Sequence, residues 1–200
     1  MDHYYSASPS VDSDPKQVEF HVMGLSFKCT TDSGVFSRDG LDMGTRILLE
    51  SLPEHPGDRI LDLGCGWGPV GVVLGKQYPQ SNILMTDVNE RAVALAARNC
   101  ADNGVYNAQT RISDGFAQIE ERFSAIVLNP PIRAGKTVIY AMFDEARNHL
   151  DEDGVLYIVI RKQQGAESAQ RYLQTLYGNV ERIARDKGYW VLRCSAGKKA

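Results

Sequence analysis

The stretch Ile60-Leu61-Asp62-Leu63-Gly64-Cys65-Gly66-Trp67-Gly68-Pro69 begins as an apolar strand and then breaks at three glycines spaced two apart. A helix is predicted from Pro69, because proline at the first helical position removes an N–H that would have no partner within the helix. Glycines let the backbone approach a ligand closely, and the helix N-terminus offers free N–H groups. This stretch therefore predicts a cradle for a nucleotide-like ligand.

The composition is that of one soluble globular domain. The chain has 200 residues, of which 43% are hydrophobic and 24% are charged, enough for one large core. The sequence has no apolar run near the roughly 20 residues that cross a bilayer, so no membrane association is expected. The first residues, Met1 to Tyr5, lack the basic and apolar regions of a signal peptide. A cytoplasmic protein is therefore predicted.

Charge and cysteine content restrict the partners. The formal net charge is −3, which argues against bulk, non-specific nucleic-acid binding but leaves a local basic patch possible. The four cysteines (Cys29, Cys65, Cys100 and Cys194) form no CxxC pair, so free thiols are expected. The four histidines have no metal-ligand spacing, and no metal site is predicted.

The hydrophobic pattern divides the chain, read as one domain over residues 1–200, into four parts. Residues 1–16 are a polar arm, 17–30 a β-hairpin, 31–58 a loop with a helix at about 41–52, and 59–195 a core of alternating strands and helices. Core strands are predicted at 59–63, 82–86, 108–112, 124–128, 155–160, 179–185 and 189–194, and core helices at 69–78, 89–103, 136–150 and 165–177. Residues 151–154 (Asp-Glu-Asp-Gly) are predicted to form a turn.

Repeated βα units require a mostly parallel sheet covered by helices on both faces. The tight turn Asp186-Lys187-Gly188 makes the last two strands an antiparallel pair. The fold class is therefore α/β with three layers, and ligands are expected at the carboxyl edge of the sheet.

The glycine turn matches G-x-G-x-x-G from Gly66 to Gly71, the fingerprint of dinucleotide sites. Asp62 in the preceding strand would repel a pyrophosphate and attract a cation. Asp87, at the end of the next strand, is placed to accept hydrogen bonds from ribose hydroxyls. S-adenosylmethionine, which has a ribose and positive charge but no phosphate, fits both acids. The alternatives are a turn that serves packing alone and a dinucleotide site.

Two further strand ends carry candidate site residues. Asp114, in Ser113-Asp114-Gly115-Phe116 after the third core strand, is placed to bind an adenine amino group, although Asp-Gly is also a common surface turn. Asn129-Pro130-Pro131-Ile132 ends the strand at 124–128. The Asn129 side-chain oxygen and the Pro130 carbonyl can hold the two hydrogens of an exocyclic amine and direct its lone pair at a methyl donor. The alternative is a plain turn.

Basic side chains follow the same predicted edge. Arg133 and Lys136 come after the Asn-Pro-Pro motif, and Arg161-Lys162 ends the next strand. They are candidates for contacts with the phosphates of a polynucleotide; the alternative is ordinary solvated surface.

The motifs Asp62–Gly68 and Asn129-Pro130-Pro131 together resemble those of class I S-adenosylmethionine-dependent methyltransferases that modify amino groups. The chain is more similar still to the small-subunit ribosomal RNA guanine-N2 methyltransferases. Residues 34–42 (Gly-Val-Phe-Ser-Arg-Asp-Gly-Leu-Asp) resemble that family's loop ahead of the first core strand, and His3-Tyr4-Tyr5-Ser6 resembles its start. The similarity runs from His3 to about Cys194.

The resemblance implies a Rossmann-like sheet of seven strands in the order 3-2-1-4-5-7-6, the last strand antiparallel. It assigns the cofactor S-adenosylmethionine to Phe36, Ser37, Asp62, Gly64, Gly66, Gly68, Asp87, Val88, Asp114, Gly115 and Asn129. Asn129 and Pro130 would be catalytic, and the substrate would contact Pro131, Ile132, Arg133, Lys136 and Arg161. Relatives often carry an aromatic residue at the position of Ile132, and some carry a second, degenerate copy of the domain.

The sequence therefore predicts methylation of the N2 amine of a guanine in 16S ribosomal RNA, with ribosomal RNA or the small ribosomal subunit as partner, by a monomer or a homodimer. The alternatives are methylation of a protein glutamine amide or of an adenine N6 amine, and a non-catalytic RNA-binding or assembly factor that keeps the fold. An oxidoreductase with a dinucleotide cofactor is disfavoured, because the chain has no second domain for a reducible substrate.

Overall fold

The computed structural model describes residues 10–196. The motif His3-Tyr4-Tyr5-Ser6 lies outside the described residues. The strands are β1 (Lys16–Val22), β2 (Leu25–Thr31), β3 (Arg59–Leu63), β4 (Asn82–Asp87), β5 (Ala108–Ile112), β6 (Phe123–Leu128), β7 (Leu150–Arg161), β8 (Asn179–Asp186) and β9 (Tyr189–Ser195). The helices are α1 (Met43–Ser51), α2 (Pro69–Gln77), α3 (Glu90–Asp102), α4 (Lys136–Asn148) and α5 (Ala166–Leu176), with single 3-10 turns at Ile132–Ala134 and Lys162–Gln164.

The main sheet has seven strands in the order β5-β4-β3-β6-β7-β9-β8. Counted from the first core strand, this order is 3-2-1-4-5-7-6, so the expected topology is confirmed. Strand β9 is antiparallel to both of its neighbours, and the remaining pairs are parallel. The order reverses between β3 and β6, and in open α/β sheets ligands bind at the carboxyl edge beside such a reversal.

Two apolar clusters cover the two faces of the sheet. One contains the buried faces of α1, α2 and α3 and the fully buried Trp67. The other contains α4, α5 and Phe143. Strand β6 contributes Ala125 and Val127 to the first cluster and Ile126 and Leu128 to the second. This division explains why β6 is an uninterrupted apolar run, as is usual for a strand buried on both faces.

The predicted N-terminal hairpin is present and forms a two-stranded sheet of its own. Its turn places Met23 and Gly24 at φ 51° and 78°, the positive values that favour a tight hairpin turn. Phe20 packs edge-on against Trp67 at 5.8 Å between ring centroids. The hairpin is thus joined to the glycine-rich turn through the first apolar cluster.

The prediction of a turn at residues 151–154 is wrong. Strand β7 begins at Leu150, opposite Phe123, and the next paired residue is Val155, opposite Ala125. The four residues between them form an irregularity within β7. Gly154 permits it, since a Cβ there would lie 2.9 Å from the Phe123 carbonyl oxygen. Asp151 is held in place by Arg59 at 2.9 Å.

Two other expectations are met within residues 10–196. All four cysteines are free, and all are buried. The turn between β8 and β9 has Lys187 and Gly188 at φ 46° and 81°, as a two-residue hairpin turn requires. No helix in this part of the chain is long and apolar enough to cross a membrane.

Candidate functional site

A cavity of about 330 Å³ lies at the carboxyl edge of the sheet, beside the reversal in strand order. It brings together ten of the predicted site residues: Phe36, Gly64, Gly66, Asp87, Val88, Asp114, Gly115, Asn129, Pro130 and Pro131. A smaller cavity of about 30 Å³ shares Phe36, Gly64, Gly66 and Asn129 with it and adds Ser37 and Asp62. Residues far apart in the sequence thus form one continuous site.

The glycine turn presents bare backbone to this site. Gly64 and Gly66 have φ values of 71° and 56°, and a Cβ built on either would meet no atom within 4 Å. Side chains at these positions would project into open space that a ligand can use. Gly68 is different: a Cβ there would lie 2.6 Å from Met85 Cε and 2.9 Å from Ala96 Cβ. Gly68 lines neither cavity, so its role is close packing of α2 against β4 and α3.

Asp62 lies inside β3, paired with Met85 and Val127, and is 3% exposed. Its Oδ2 accepts a hydrogen bond from the Gly71 N–H at 2.9 Å. Burial, with a smaller contribution from the charge of Asp87, raises the pKa of Asp62 to about 7 against the lowering effect of the Gly71 N–H. A cation in the smaller cavity would stabilise the ionised form of this buried carboxyl group, because a nearby positive charge favours ionisation.

Asp87 ends β4 and connects the strand to the glycine turn. Its Oδ2 accepts from the Gly66 N–H and its Oδ1 from the Asn89 N–H, both at 2.9 Å. Burial raises the pKa of Asp87 despite these bonds. The Val88 N–H also donates to this carboxylate, so three of its roughly four lone-pair sites are used and one remains for a hydroxyl group of a ligand.

Asp114 and Gly115 lie at the wall of the cavity that follows β5. Ser113 fixes this turn from inside: its hydroxyl donates to the Gly115 carbonyl at 2.9 Å and accepts from the Gln118 N–H at 3.1 Å. The Asp114 side chain is exposed, and Ser113 is buried. The turn is therefore rigid, and it presents a carboxylate to the cavity.

The segment at residues 32–40 contributes Val35, Phe36 and Ser37 to the walls of the two cavities. Phe36 lines both cavities and is 37% exposed. Ser37 holds the segment closed, since its hydroxyl donates to the Gly40 carbonyl at 2.7 Å and its own carbonyl accepts from Trp67 Nε1 at 3.2 Å. The Asn89 amide donates to the Gly34 carbonyl at 2.9 Å. The segment is thus attached to the glycine turn and to α3.

Asn129 follows the last residue of β6, and Pro130 beside it is buried. The Asn129 Nδ2 donates to Asp42 Oδ2 at 3.2 Å and to Thr45 Oγ1 at 3.0 Å. Both partners belong to the start of α1, where Asp42 is the N-cap. No pattern in the sequence indicated this connection, since the partners lie 87 and 84 residues away along the chain.

The predicted substrate residues beyond Pro131 lie outside both cavities. Ile132 packs against the second apolar cluster. Arg133, Lys136 and Arg161 are exposed, and the Arg161 guanidinium lies 5.8 Å from the centre of the Tyr189 ring. These residues surround the carboxyl edge without entering the site.

The apolar lining of the larger cavity was not expected from the sequence. It is formed by Val35, Leu63, Ala92, Ala134, Val138 and Met142. Val138 is 47% exposed, so part of this lining faces the open side of the cavity. Such a lining suits a flat apolar group such as a nucleobase. Among residues 10–196, no group of three or more His, Cys, Asp or Glu side chains could hold a metal ion.

Comparison with known families agrees with this arrangement. The model of the family described as "methyltransferase small domain" matches residues 26–193. The chain belongs to this family. It is a class I S-adenosylmethionine-dependent methyltransferase, and the seven-stranded sheet with its glycine turn is the fold of that class.

Several curated relatives of this methyltransferase are similar over most of its length. A Bacillus subtilis (strain 168) protein named "Uncharacterized protein YbxB" is 43% identical over 196 residues, which cover 96% of this chain and 97% of the relative. "Ribosomal RNA small subunit methyltransferase C" of Hahella chejuensis is 41% identical over 66% of this chain and 40% of its own length. The same-named protein of Cronobacter sakazakii is 33% identical over 96% and 56%. The chain thus spans about half the length of these two relatives.

The solved structure of "T. Thermophilus 16S rRNA N2 G1207 methyltransferase (RsmC) in complex with AdoMet and Guanosine" has the same fold. It superimposes with a TM-score of 0.83 at 24% identity, over 94% of this chain and 52% of the other. A ribosomal protein L11 methylase from Lactobacillus delbrueckii superimposes with a TM-score of 0.65 at 20% identity, over 78% of this chain and 83% of the other. At these identities the likeness establishes the architecture of this methyltransferase.

The cavities fit S-adenosylmethionine, the cofactor of this class. The two glycines leave open space beside the backbone, acids occupy the positions suited to a ribose and a cation, and the apolar lining suits an adenine. When bound, the cofactor supplies an electrophilic methyl group. The residues that line the two cavities would hold the cofactor beside the group that receives the methyl.

Proposed function

We propose that this methyltransferase modifies the N2 amine of a guanine in 16S ribosomal RNA. The observation that carries the proposal is the orientation of Asn129 at the wall shared by the two cavities. Because both hydrogens of its amide nitrogen are donated to α1, its oxygen remains as an acceptor at the site. The Pro130 carbonyl beside it is the second acceptor.

Two fixed acceptors are what an exocyclic amine requires. The lone pair of a nucleobase amine is delocalised into the ring, so the nitrogen is a weak nucleophile. Holding one amine hydrogen at Asn129 Oδ1 and the other at the Pro130 carbonyl favours the geometry in which the lone pair faces the methyl group. The proton can leave after the methyl is transferred, so no strong general base is needed at the site.

The charge distribution supports an RNA substrate. Arg133, Lys136 and Arg161 are exposed at the carboxyl edge, although the whole chain has a net charge of −3. The opposite edge, at the amino ends of β3, β6 and β7, carries the exposed cations Arg59 and Arg122 together with exposed acids, which are Glu54, Asp58, Glu120, Glu121, Glu152 and Asp153. The three cations beside the cavity would attract the phosphates of a polynucleotide. The guanine would leave its stack to reach the site.

The relatives support the choice of target. Two of them carry the name "Ribosomal RNA small subunit methyltransferase C", and the structural neighbour was solved with guanosine. The position that often carries an aromatic residue is Ile132 in this chain. Phe36, which lines both cavities, is the aromatic side chain best placed to contact the target base.

The test is transfer of a labelled methyl group from S-adenosylmethionine to purified small subunits, to naked 16S RNA and to ribosomal proteins, followed by nucleoside and amino-acid analysis. We expect N2-methylguanosine. N6-methyladenosine or methylglutamine would replace the proposal with one of its alternatives. Asn129→Ala should abolish transfer and leave cofactor affinity within a few-fold. Asn148→Ala, an exposed amide at the far end of α4, is the matched control and should keep full activity.

Charge removal tests the RNA surface separately. Replacing Arg133, Lys136 and Arg161 together by glutamine should weaken RNA binding and flatten its salt dependence, by a slope of about 0.7 for each phosphate that the variant no longer neutralises. Arg98→Gln, on the exposed face of α3, is the control and should leave the slope unchanged. An unaltered slope in the triple variant would assign the three cations to solvated surface.

A further inference from the structure

We infer that Asp42 and Thr45 are positioning residues for methyl transfer, which fix the Asn129 amide with its oxygen at the site. This inference rests on the proposed function and deepens it. The two residues start α1, some 85 positions before Asn129 in the sequence. Neither was expected to take part in the chemistry.

The hydrogen bonds fix which way the amide faces. The Asn129 nitrogen donates to Asp42 Oδ2 at 3.2 Å and to Thr45 Oγ1 at 3.0 Å. An amide nitrogen has two hydrogens, so both are used. Rotating the amide by half a turn would bring its oxygen against a carboxylate oxygen, which has no hydrogen to offer. The carboxyl group of Asp42 therefore selects one of the two amide orientations.

The Thr45 hydroxyl is itself directed by Asp42. Its Oγ1 lies 3.5 Å from Asp42 Oδ2, which gives the hydroxyl hydrogen an acceptor and leaves the oxygen lone pairs for Asn129. The Thr45 N–H donates to the same Oδ2 at 3.0 Å and completes the N-cap of α1. Hydrogen donation thus runs from Asn129 to Thr45 to Asp42, and every member has a defined role.

This direction matters at the reacting amine. A reversed amide would present N–H donors to the N–H donors of a nucleobase amine, and neither hydrogen could be held. Thr45 is 3% exposed, and in such surroundings an anionic acceptor polarises the amide and strengthens its oxygen as an acceptor. The loss of either partner should therefore lower the rate of transfer more than it changes the binding of S-adenosylmethionine.

Three variants separate this role from a structural one. Thr45→Val keeps the shape and removes the hydroxyl, whereas Thr45→Ser retains it. Asp42→Ser keeps an effective helix cap but is too short to reach Asn129. We expect kcat to fall by about 10- to 100-fold in Thr45→Val and Asp42→Ser, with cofactor Kd within a few-fold, and Thr45→Ser to recover most of the rate. Ser51→Ala, which removes a hydroxyl bonded to Ile47 on the same helix, should keep the wild-type kcat.

A second readout does not depend on activity. The side-chain amide protons of Asn129 can be assigned by NMR from their absence in Asn129→Ala. We expect both to exchange slowly with water in the wild type and at least one to lose protection in Thr45→Val. If this loss occurs in a protein that methylates no RNA, the positioning role stands and the proposed function fails.

The inference is overturned by any of three results: unchanged amide protection in Thr45→Val, wild-type kcat in both Thr45→Val and Asp42→Ser, or a rise in cofactor Kd with unchanged kcat. The last result would assign the two residues to the cofactor seat.

Discussion

Asp62→Asn should change how the stability of the free protein depends on pH. Asparagine has nearly the same shape as aspartic acid and can still accept the Gly71 N–H bond, which is 2.9 Å long in the wild type. It cannot ionise. The comparison therefore isolates the effect of a buried carboxyl group on folding.

The sign and size of this pH-dependent change in stability follow from the pKa of Asp62, which burial raises from 3.8 to about 7. Between these two values the folded chain binds a proton that the unfolded chain has lost, so this group's contribution to stability falls as pH rises through the window and is gone above pH 7. At about 1.4 kcal/mol per pKa unit, the two units between pH 5 and pH 7 amount to about 3 kcal/mol. The residue is only 3% exposed, so solvent screening reduces this figure little.

The assay is urea unfolding of the free protein at pH 5, 6, 7 and 8, followed by the fluorescence of the buried Trp67 and Trp190. We expect the free energy of unfolding of Asp62→Asn to rise relative to wild type by about 3 kcal/mol between pH 5 and pH 8. Leu61→Val, at the neighbouring fully buried position, introduces no titrating group and should lower stability equally at every pH.

Parallel curves for wild type and Asp62→Asn would refute the reasoning. They would mean that Asp62 is already ionised in the folded protein. The site would then attract the positive charge of the cofactor without any linked change in protonation.

Three further predictions concern the supports of the site. Asn99→Leu should lower the free energy of unfolding by about 3 kcal/mol, because it leaves buried backbone groups of Thr30 and Trp67 without partners. In the wild type the Asn99 side chain bonds these groups at 2.7 to 2.9 Å. Urea unfolding measures the change, and a decrease below about 1 kcal/mol would contradict the prediction. Gly71→Ala should cost about 1–3 kcal/mol, since its Cβ would lie 2.5 Å from the Met85 sulfur, and the double variant with Met85→Val should recover part of that stability. Phe36→Ala should raise the Kd for S-adenosylmethionine about tenfold, because it removes apolar packing from the cofactor. Calorimetry measures this Kd, and a value within twofold of wild type would count against a covering role for Phe36.

Much of the fold could be predicted because its signals are local. The apolar runs of the core strands, the glycines that end them and the helices between them recur in order along the chain, and parallel neighbours require such crossovers. The turn Asp186-Lys187-Gly188 specified its hairpin by residue type alone. The motif predicted Gly64 and Gly66, which line both cavities, because a turn with positive φ has few other solutions.

The failures have a different cause. Asp151-Glu152-Asp153-Gly154 has the composition of a turn, yet it lies within β7 because pairing with β6 continues on both sides of it. Gly68 belongs to the same motif as Gly64 and Gly66, but the side chains it accommodates come from β4 and α3. In both cases the outcome depends on partners that are distant in sequence.

In the candidate site, too, some features were predictable from the local sequence and others depend on residues distant in sequence. The residue types at the strand ends, Asp62, Asp87 and Asn129, were recognisable in the sequence because chemistry at the carboxyl edge of a parallel sheet is carried by the residues that end its strands. The direction in which the Asn129 amide faces was not recognisable, because its hydrogens are held by Asp42 and Thr45 from a helix that precedes the whole core. Side-chain hydrogen bonds of this kind follow from the packing of α1 against the sheet, and no local pattern encodes them.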